Sequence, residues 1–224
     1  MTSMVNSLVA RMSTDFLIGF SALFSLINPL GMAFAFAEKT RSLPDGARVA
    51  LAGKVATYSF VLILAAMLFG APVLAFFGIG IPALRIAGGL LVAFAGYDML
   101  TAPDERNEEN VAQVTATTAE TMAFFPLTMP LTVGPGTIAA SIALGAQDRS
   151  GLVGHLVIWA IALPMAITIY ACYRHAASVA NAIGPKASRI AARLTAFLLM
   201  CIGVQMVLTG VAAWLGPLIR LGAV

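Results

Sequence analysis

The segment Thr132-Val133-Gly134-Pro135-Gly136-Thr137 lies near the middle of a run without charged residues from Thr121 to Gln147. A run of this length can cross a bilayer, which takes about 20 apolar residues. Gly-Pro-Gly disfavours continuous helix, because proline removes one N–H and each glycine costs about 1 kcal/mol relative to alanine. Backbone groups freed in this way must be buried in protein or line a cavity. The segment therefore predicts an interrupted membrane helix.

An earlier uncharged run, Phe16 to Ala37, carries Asn28-Pro29-Leu30-Gly31 at its centre. Two membrane helices that are each interrupted near the middle by proline are typical of the substrate site of a secondary transporter. The alternative is that both motifs only kink helices for packing. Because the two motifs occupy corresponding positions in the two halves of the chain, we favour the first interpretation.

The composition indicates a polytopic membrane protein. Of 224 residues, 60% are hydrophobic and 10% are charged, and the mean hydropathy is +0.93, whereas soluble domains carry about 25% charged residues. The net charge of +3 comes from basic residues between apolar runs, which orient a protein in the membrane, so we predict no nucleic-acid partner. Cys172 and Cys201 lie in apolar runs and predict no disulfide framework.

The apolar runs predict an all-α fold with six transmembrane helices. These cover Phe16–Ala37, about Val55–Phe77, a third helix around Ile86–Tyr97, Thr121–Gln147, about Leu152–Tyr173 and Leu194–Ile219. A short polar leader, Met1 to Asp15, precedes them, and a basic loop with Lys39, Arg41, Arg48 and Lys54 follows the first. A polar linker over 101–120 divides one transmembrane domain, 1–224, into repeats 14–100 and 121–219.

The two halves resemble each other. Pro29 and Pro135 are 106 positions apart, and Gly96-Tyr97-Asp98-Met99 aligns with Gly203-Val204-Gln205-Met206 at a spacing of 107. Three helices per repeat make the second repeat enter the membrane from the opposite side, which is an inverted repeat. The loops after helices 1, 3 and 5 carry nine lysines and arginines, and the remaining termini and loops carry four. The positive-inside rule then places both termini outside the cytoplasm.

The charge-free part of the third helix is too short to cross a membrane, so Arg85 or Asp98 must enter the membrane zone. Arg85 can snorkel to the interface. Asp98 either caps the helix end or faces a wet cavity and takes up a proton. We assign candidate coupling or gating roles to Arg85, Asp98 and Gln205, the last by its alignment with Asp98. Coupling to H⁺ or Na⁺ is open, and no other cofactor and no metal site are predicted.

An interrupted helix exposes carbonyls at one end and N–H groups at the other, equivalent to partial charges of about −0.5 and +0.5. A zwitterion could use both ends. Neither interrupted run has an acid or base near its centre, so a small neutral amino acid fits better than a charged one. The candidate substrate-binding residues are Ser25, Asn28, Pro29, Leu30, Gly31, Thr132, Gly134, Pro135, Gly136 and Thr137.

The stretch Leu26–Gly31, together with Pro130–Ala139, resembles the MarC family of integral membrane proteins, which includes SnatA-type small neutral amino acid transporters. Ile81–Gly89 is similar to the third helix of that family. The resemblance covers nearly the whole chain. It implies a six-helix inner-membrane protein that moves glycine, alanine or similar solutes.

Other classes of protein fit the sequence less well. A nucleotide-driven pump needs G-x-x-x-x-G-K-[ST], and Val55 follows Gly53-Lys54 where the hydroxyl residue belongs. An intramembrane protease needs paired catalytic side chains, and Asp98 has no partner at membrane depth. We therefore predict no enzyme activity. A channel or an exporter for another small neutral solute remains the alternative, because half-helix ends also line selectivity filters. The oligomeric state is not predicted.

Overall fold

The computed structural model describes residues 2–101, 122–147 and 151–221, and almost all of them are helical. The predicted linker after Thr101 and the predicted turn at 148–150 lie outside the described residues. In chain order the helices are α1 (Thr2–Ile27), α2 (Pro29–Lys39), α3 (Asp45–Phe76), α4 (Ile81–Thr101), α5 (Ala123–Thr132), α6 (Pro135–Gly145) and α7 (Gly151–Leu221).

Five helical stretches of the described residues are long and apolar enough to cross a membrane. They are Ala10–Lys39, Asp45–Phe76, Ile81–Thr101, Gly154–Gly184 and Arg193–Gly216. We call the last two the first and second arms of α7. The prediction of an all-α polytopic membrane protein is thereby confirmed. Between 122 and 147 the regular helix α6 has only 11 residues, so a sixth span there stays a prediction.

The N-terminal part of the chain differs from the prediction. The expected polar leader Met1–Asp15 is helical from Thr2, and α1 runs without interruption to Ile27. The residues before Phe16 include no proline or glycine, so nothing local ends a helix there. The expected basic loop is also shorter, because α3 begins at Asp45 and includes both Arg48 and Lys54. Asp45 in the first turn suits the positive end of the helix dipole.

Helix α7 also extends beyond the predicted end of the fifth span at Tyr173. Its first arm continues to Gly184, where φ is 79° and ψ is 165°. Glycine tolerates this positive φ at little cost, and the proline that follows pushes the preceding residue out of the helical region. The pair Gly184-Pro185 therefore separates the two arms.

Helix α5 has π-type hydrogen bonding and is irregular for a local reason. Phe125 and Met129 have extended backbone angles, φ −124° with ψ 123° and φ −117° with ψ 122°, and each precedes a proline, which disfavours helical angles. Two threonine hydroxyls satisfy carbonyls in this segment. Thr128 donates to the carbonyl of Ala123 over 2.6 Å, and Thr132 donates to that of Leu127 over 2.7 Å.

Helix α4 packs against the second arm of α7 through glycines that let the backbones approach closely. A Cβ at Gly96 would lie 2.7 Å from the carbonyl oxygen of Ala196, and one at Gly203 would lie 2.6 Å from that of Gly89. The residue numbers rise along α4 as they fall along α7, so the two helices are antiparallel.

The two interrupted segments pack crosswise in the interior. Helix α1 contacts α6, and α2 contacts α5. The central core that they share with α3 and α7 includes Leu23, Ile27, Phe36, Leu127, Val133 and Tyr173, each at most 1% exposed. The fold thus brings both proline motifs into one helical bundle.

Candidate functional site

The first interruption is made by Asn28 and Pro29. Asn28 is in the left-handed region, with φ 44° and ψ 59°, which asparagine tolerates better than most residues. Its N–H donates to the carbonyl of Phe24 over 2.8 Å, which is the last bond of α1. Pro29 has no N–H to donate, so the carbonyl of Ser25 loses its donor in the helical ladder. The end of α1 therefore presents a carbonyl group without an intrahelical partner.

Asn28 also caps the helix that follows. Its Oδ1 accepts a hydrogen bond from the N–H of Gly31 over 3.3 Å, and its carbonyl accepts one from Met32 over 2.9 Å. An asparagine side chain in this position satisfies one of the free N–H groups of a helix start. In this conformation Asn28 stabilises the start of α2, and its predicted contact with substrate stays a prediction.

The second interruption has a different chemistry. Gly134 precedes α6 with φ −78° and ψ 172°, Pro135 is the first helical residue, and no side chain caps the helix. The first intrahelical bond joins the N–H of Ile138 to the carbonyl of Gly134 over 3.0 Å. The N–H groups of Gly136 and Thr137 precede that bond, so they have no partner in the helix itself. The start of α6 is therefore the better of the two for an anionic group.

Each interruption is covered by a helix from the other half of the chain. A Cβ at Gly31 would meet the Thr195 side chain on the second arm of α7, and a Cβ at Gly136 would meet Val92 on α4. Gly88 also packs on this site, since its Cβ would lie 3.3 Å from the Cα of Gly136. In this conformation another helix therefore packs directly on each interruption. Sequence reasoning missed Thr195, which lies at the start of a predicted span without any motif.

Tyr173 joins the two interrupted segments. Its hydroxyl lies 2.8 Å from Oγ1 of Thr132 in α5, and its ring stacks on Phe36 of α2 with centroids 4.6 Å apart. Both Tyr173 and Phe36 are fully buried. Sequence reasoning placed Tyr173 at the end of a span and gave it no role. A polar aromatic residue in an apolar run is the signal that could have found it, since a buried tyrosine hydroxyl needs a partner.

The predicted binding residues fall into two groups by burial. Eight are buried or partly buried beside the interruptions: Asn28, Pro29, Gly31, Thr132, Gly134, Pro135, Gly136 and Thr137. Ser25 and Leu30 have exposed side chains, so only their backbone groups lie at the interruption in this conformation.

The candidate coupling residues do not form a cluster. Asp98 and Gln205 have exposed side chains, and Arg85 is half-buried in the first turns of α4. Among the described residues, none of the three forms a hydrogen bond or ion pair with another of them. Within residues 2–101, 122–147 and 151–221 there is also no group of three histidine, cysteine or acidic side chains that could bind a metal ion. The coupling roles stay predictions.

Ser59 is a buried polar residue that the sequence did not single out. It lies on α3 between Tyr58, which contacts Phe124 of α5 edge-on, and Phe60. Its hydroxyl is fully buried and has no hydrogen-bond partner among the described residues. A serine on a helix usually donates to a carbonyl one turn earlier. The hydroxyl of Ser59 is therefore a buried polar group that no described residue satisfies.

We expect opposite stability effects from two hydroxyl deletions. Ser59→Ala should leave the melting temperature unchanged or slightly higher, because it removes a buried group without a partner. Thr132→Val should lower the unfolding free energy by about 1–3 kcal/mol, because the carbonyl of Leu127 and the hydroxyl of Tyr173 both lose their partner. Thermal unfolding of the purified protein in one detergent compares the two variants. Equal melting temperatures would contradict this assignment of hydrogen bonds.

The fold and the interruptions define the class of protein: a multi-pass integral membrane protein with an interior built around two proline-interrupted helical segments. Residues 13–215 match the sequence profile of the family described as MarC family integral membrane protein. The chain belongs to this family.

Curated relatives support the assignment over most of the chain. A UPF0056 membrane protein of Methanocaldococcus jannaschii is 36% identical over 196 residues, which are 88% of this chain and 95% of the relative. The UPF0056 inner membrane protein MarC of Salmonella typhimurium is 33% identical over 206 residues, with 87% and 92% coverage. The Citrobacter koseri protein of the same name is 33% identical over 204 residues. No solved structure gives a significant match. The chain is a multi-pass protein of the inner membrane.

Proposed function

We propose that this protein is a secondary transporter of small neutral amino acids, such as glycine or alanine, of the SnatA type within its family. The observation that carries the proposal is the crosswise packing of two proline-interrupted segments, α1 against α6 and α2 against α5. Half-helix ends that meet inside a membrane bundle supply ligand groups without any charged side chain. The substrate site proposed here lies between the two interruptions.

The two interruptions offer complementary groups to a zwitterion. The carboxylate is placed at the start of α6, where the N–H groups of Gly136 and Thr137 have no helical partner and no side chain competes for them. The ammonium group is placed at the end of α1, where Pro29 leaves the carbonyl of Ser25 without a donor. Because Thr195 and Val92 pack directly on these segments, the substrate must be small.

A second part of the proposal is the inverted repeat of three helices per half. Its support is a pair of contacts related by one sequence offset. Gly96 packs on Ala196 and Met200, while Gly203 packs on Gly89 and Ala93. Adding 107 to the α4 residue number and subtracting 107 from the α7 residue number of one contact gives the other, with the two helices exchanged. Antiparallel helices related in this way are expected of halves that cross the membrane in opposite directions.

The same contacts suggest how substrate enters. In the conformation described, α4 covers the start of α6 and the second arm of α7 covers the start of α2. We propose that transport requires α4 and the second arm of α7 to move away in turn. One movement opens the site to the cytoplasm and the other opens it to the periplasm. The interface glycines contribute no side chain of their own, so few side chains on the two helices interlock and oppose this movement.

Counterflow in proteoliposomes tests the function. Vesicles loaded with unlabelled alanine should transiently accumulate labelled alanine or glycine from outside, and lysine or glutamate inside the vesicles should not drive this uptake. A channel would equilibrate label without this overshoot. Absence of alanine and glycine counterflow in protein shown to be folded would reject the proposed substrate class.

We predict the orientation of the turns from the charge bias of the loops. In a Cys172→Ser/Cys201→Ser background, Ser42→Cys between α2 and α3 should react with membrane-impermeant maleimide only from the cytoplasm. Ile79→Cys, between α3 and α4, should react only from the periplasm. Both native side chains are exposed, so each thiol is accessible on its own side. Labelling in intact cells and in inverted vesicles measures this, and the reverse pattern at both positions would overturn the proposed topology.

A further inference from the structure

A polar cavity of about 260 Å³ lies between the start of α3 and the first arm of α7. Its polar lining consists of the side chains of Arg48, Arg174, His175, Ser178 and Asn181, together with the carboxylate of Asp45. Arginine, histidine, serine and asparagine all donate hydrogen bonds. The cavity is therefore a site rich in donors, with basic residues on both of the helices that form it.

The two arginines in this cavity have different surroundings. Arg48 donates to the carboxylate of Asp45 over 2.9 Å and to the carbonyl of Leu43 over 3.0 Å, so its charge is largely engaged by its own segment. Arg174 donates to the hydroxyl of Tyr170 over 2.9 Å and lies over its ring, 5.9 Å from the centroid. Tyr170 is a neutral partner, so the positive charge of Arg174 is available to an anion.

An apolar groove of about 500 Å³ adjoins this cavity, and His175 lines both. The walls of the groove come from α2, with Leu30 and Phe34, and from the first arm of α7, with Ala171 and Val179. Leu30 is 61% exposed, so the groove opens to the outside of the bundle. Apart from Cys172 and His175 its lining is apolar, so the groove suits a hydrocarbon chain rather than a compact polar solute.

We propose that this composite site binds an anionic phospholipid, with its phosphate in the polar cavity beside Arg174 and one acyl chain in the apolar groove. Arginine presents several N–H donors in a geometry that matches phosphate oxygens. Basic pockets between membrane helices on the cytoplasmic side are suited to anionic head groups. The charge bias of the loops puts this end of the helices in the cytoplasmic leaflet. The groove favours a lipid over free phosphate, because phosphate would leave it unfilled.

The test measures lipid binding to the full-length, delipidated protein by native mass spectrometry. Phosphatidylglycerol is compared with phosphatidylcholine of the same acyl chains, and inorganic phosphate is added as a competitor. The head-group variant is Arg174→Gln/His175→Gln, and its control is Arg41→Gln, which removes a basic side chain near the same end of the bundle but outside the cavity. The groove variant is Ala171→Trp, and its control is Ala160→Trp at an exposed position of the same helix.

Wild-type protein should retain phosphatidylglycerol in preference to phosphatidylcholine. Binding should weaken about fivefold through loss of the Arg174 charge, and Ala171→Trp should weaken it as well, while both controls keep wild-type affinity. Equal binding of the two lipids, or equal loss in Arg41→Gln, would overturn the proposal. Competition by millimolar phosphate together with wild-type affinity in Ala171→Trp would show a phosphate site and no lipid site. The measurement does not depend on transport, so a negative result would reject the lipid site without rejecting the proposed transport function.

Discussion

Replacing Gly203 with leucine should lower the unfolding free energy by about 3 kcal/mol or more, the upper range for overpacking a close contact. A Cβ at this position would meet the backbone nitrogen of Ala93 and lie 2.8 Å from its Cα. Backbone atoms cannot turn aside as a flexible side chain can, so α4 and the second arm of α7 must separate. Because domains have only about 5–15 kcal/mol of stability, the variant should unfold at a clearly lower temperature.

Gly216, also on the second arm of α7, provides a matched control. Gly216 has no atom within 4 Å of its ideal Cβ, so Gly216→Leu should keep or raise stability through better helix propensity. The related contact at Gly96 gives a second comparison, and Gly96→Leu should cost about as much as Gly203→Leu. Thermal unfolding in detergent measures all three. If Gly203→Leu and Gly216→Leu melted together, the close packing described for α4 and α7 would be wrong.

The helix ends at the proline motifs follow from local chemistry. Pro29 and Pro135 each begin a helix, because proline suits the first helical position and cannot donate inside the preceding helix. That these ends lie at the middle of the membrane stays a prediction. Proline also disfavours helical angles at the residue before it. This rule could have predicted the irregular path of α5 at Phe125 and Met129.

Other features depend on tertiary contacts that have no local signal. Nothing around Thr195 indicates that it packs on Gly31, and nothing around Tyr173 indicates that its partner is Thr132. These pairs join segments far apart in the chain, so only the folded bundle specifies them. Two helices are also longer than the sequence predicts, for a related reason. Helix α1 and the first arm of α7 continue past the apolar runs, because hydrophobicity marks the membrane zone and does not end a helix.

The structure also guides the choice of the variant that tests the second interruption. Alanine at Gly136 would bring a Cβ against the Val92 side chain, so a loss of binding in that variant would have two explanations. Gly134 and Pro135 are half-buried, and Gly134 has a negative φ that alanine also adopts. The variant Gly134→Ala/Pro135→Ala is therefore the sharper choice. A matched control is Pro72→Ala, which removes an exposed proline from the interior of α3.

We expect Gly134→Ala/Pro135→Ala to keep or raise the melting temperature and to bind glycine and alanine at least about tenfold more weakly. Alanine favours helix at both positions, so α6 should extend toward α5. The N–H groups of Gly136 and Thr137 would then donate to the carbonyls of Thr132 and Val133, one turn earlier, and would no longer reach a carboxylate. A hydrogen bond to a charged group contributes about 1.5–3 kcal/mol, and about 1.4 kcal/mol corresponds to a tenfold change in affinity. Calorimetry on purified protein measures the binding, with Pro72→Ala expected to bind as wild type does. Wild-type affinity in the double variant would mean that the start of α6 is a packing kink, and that the amino acid binds elsewhere in the bundle.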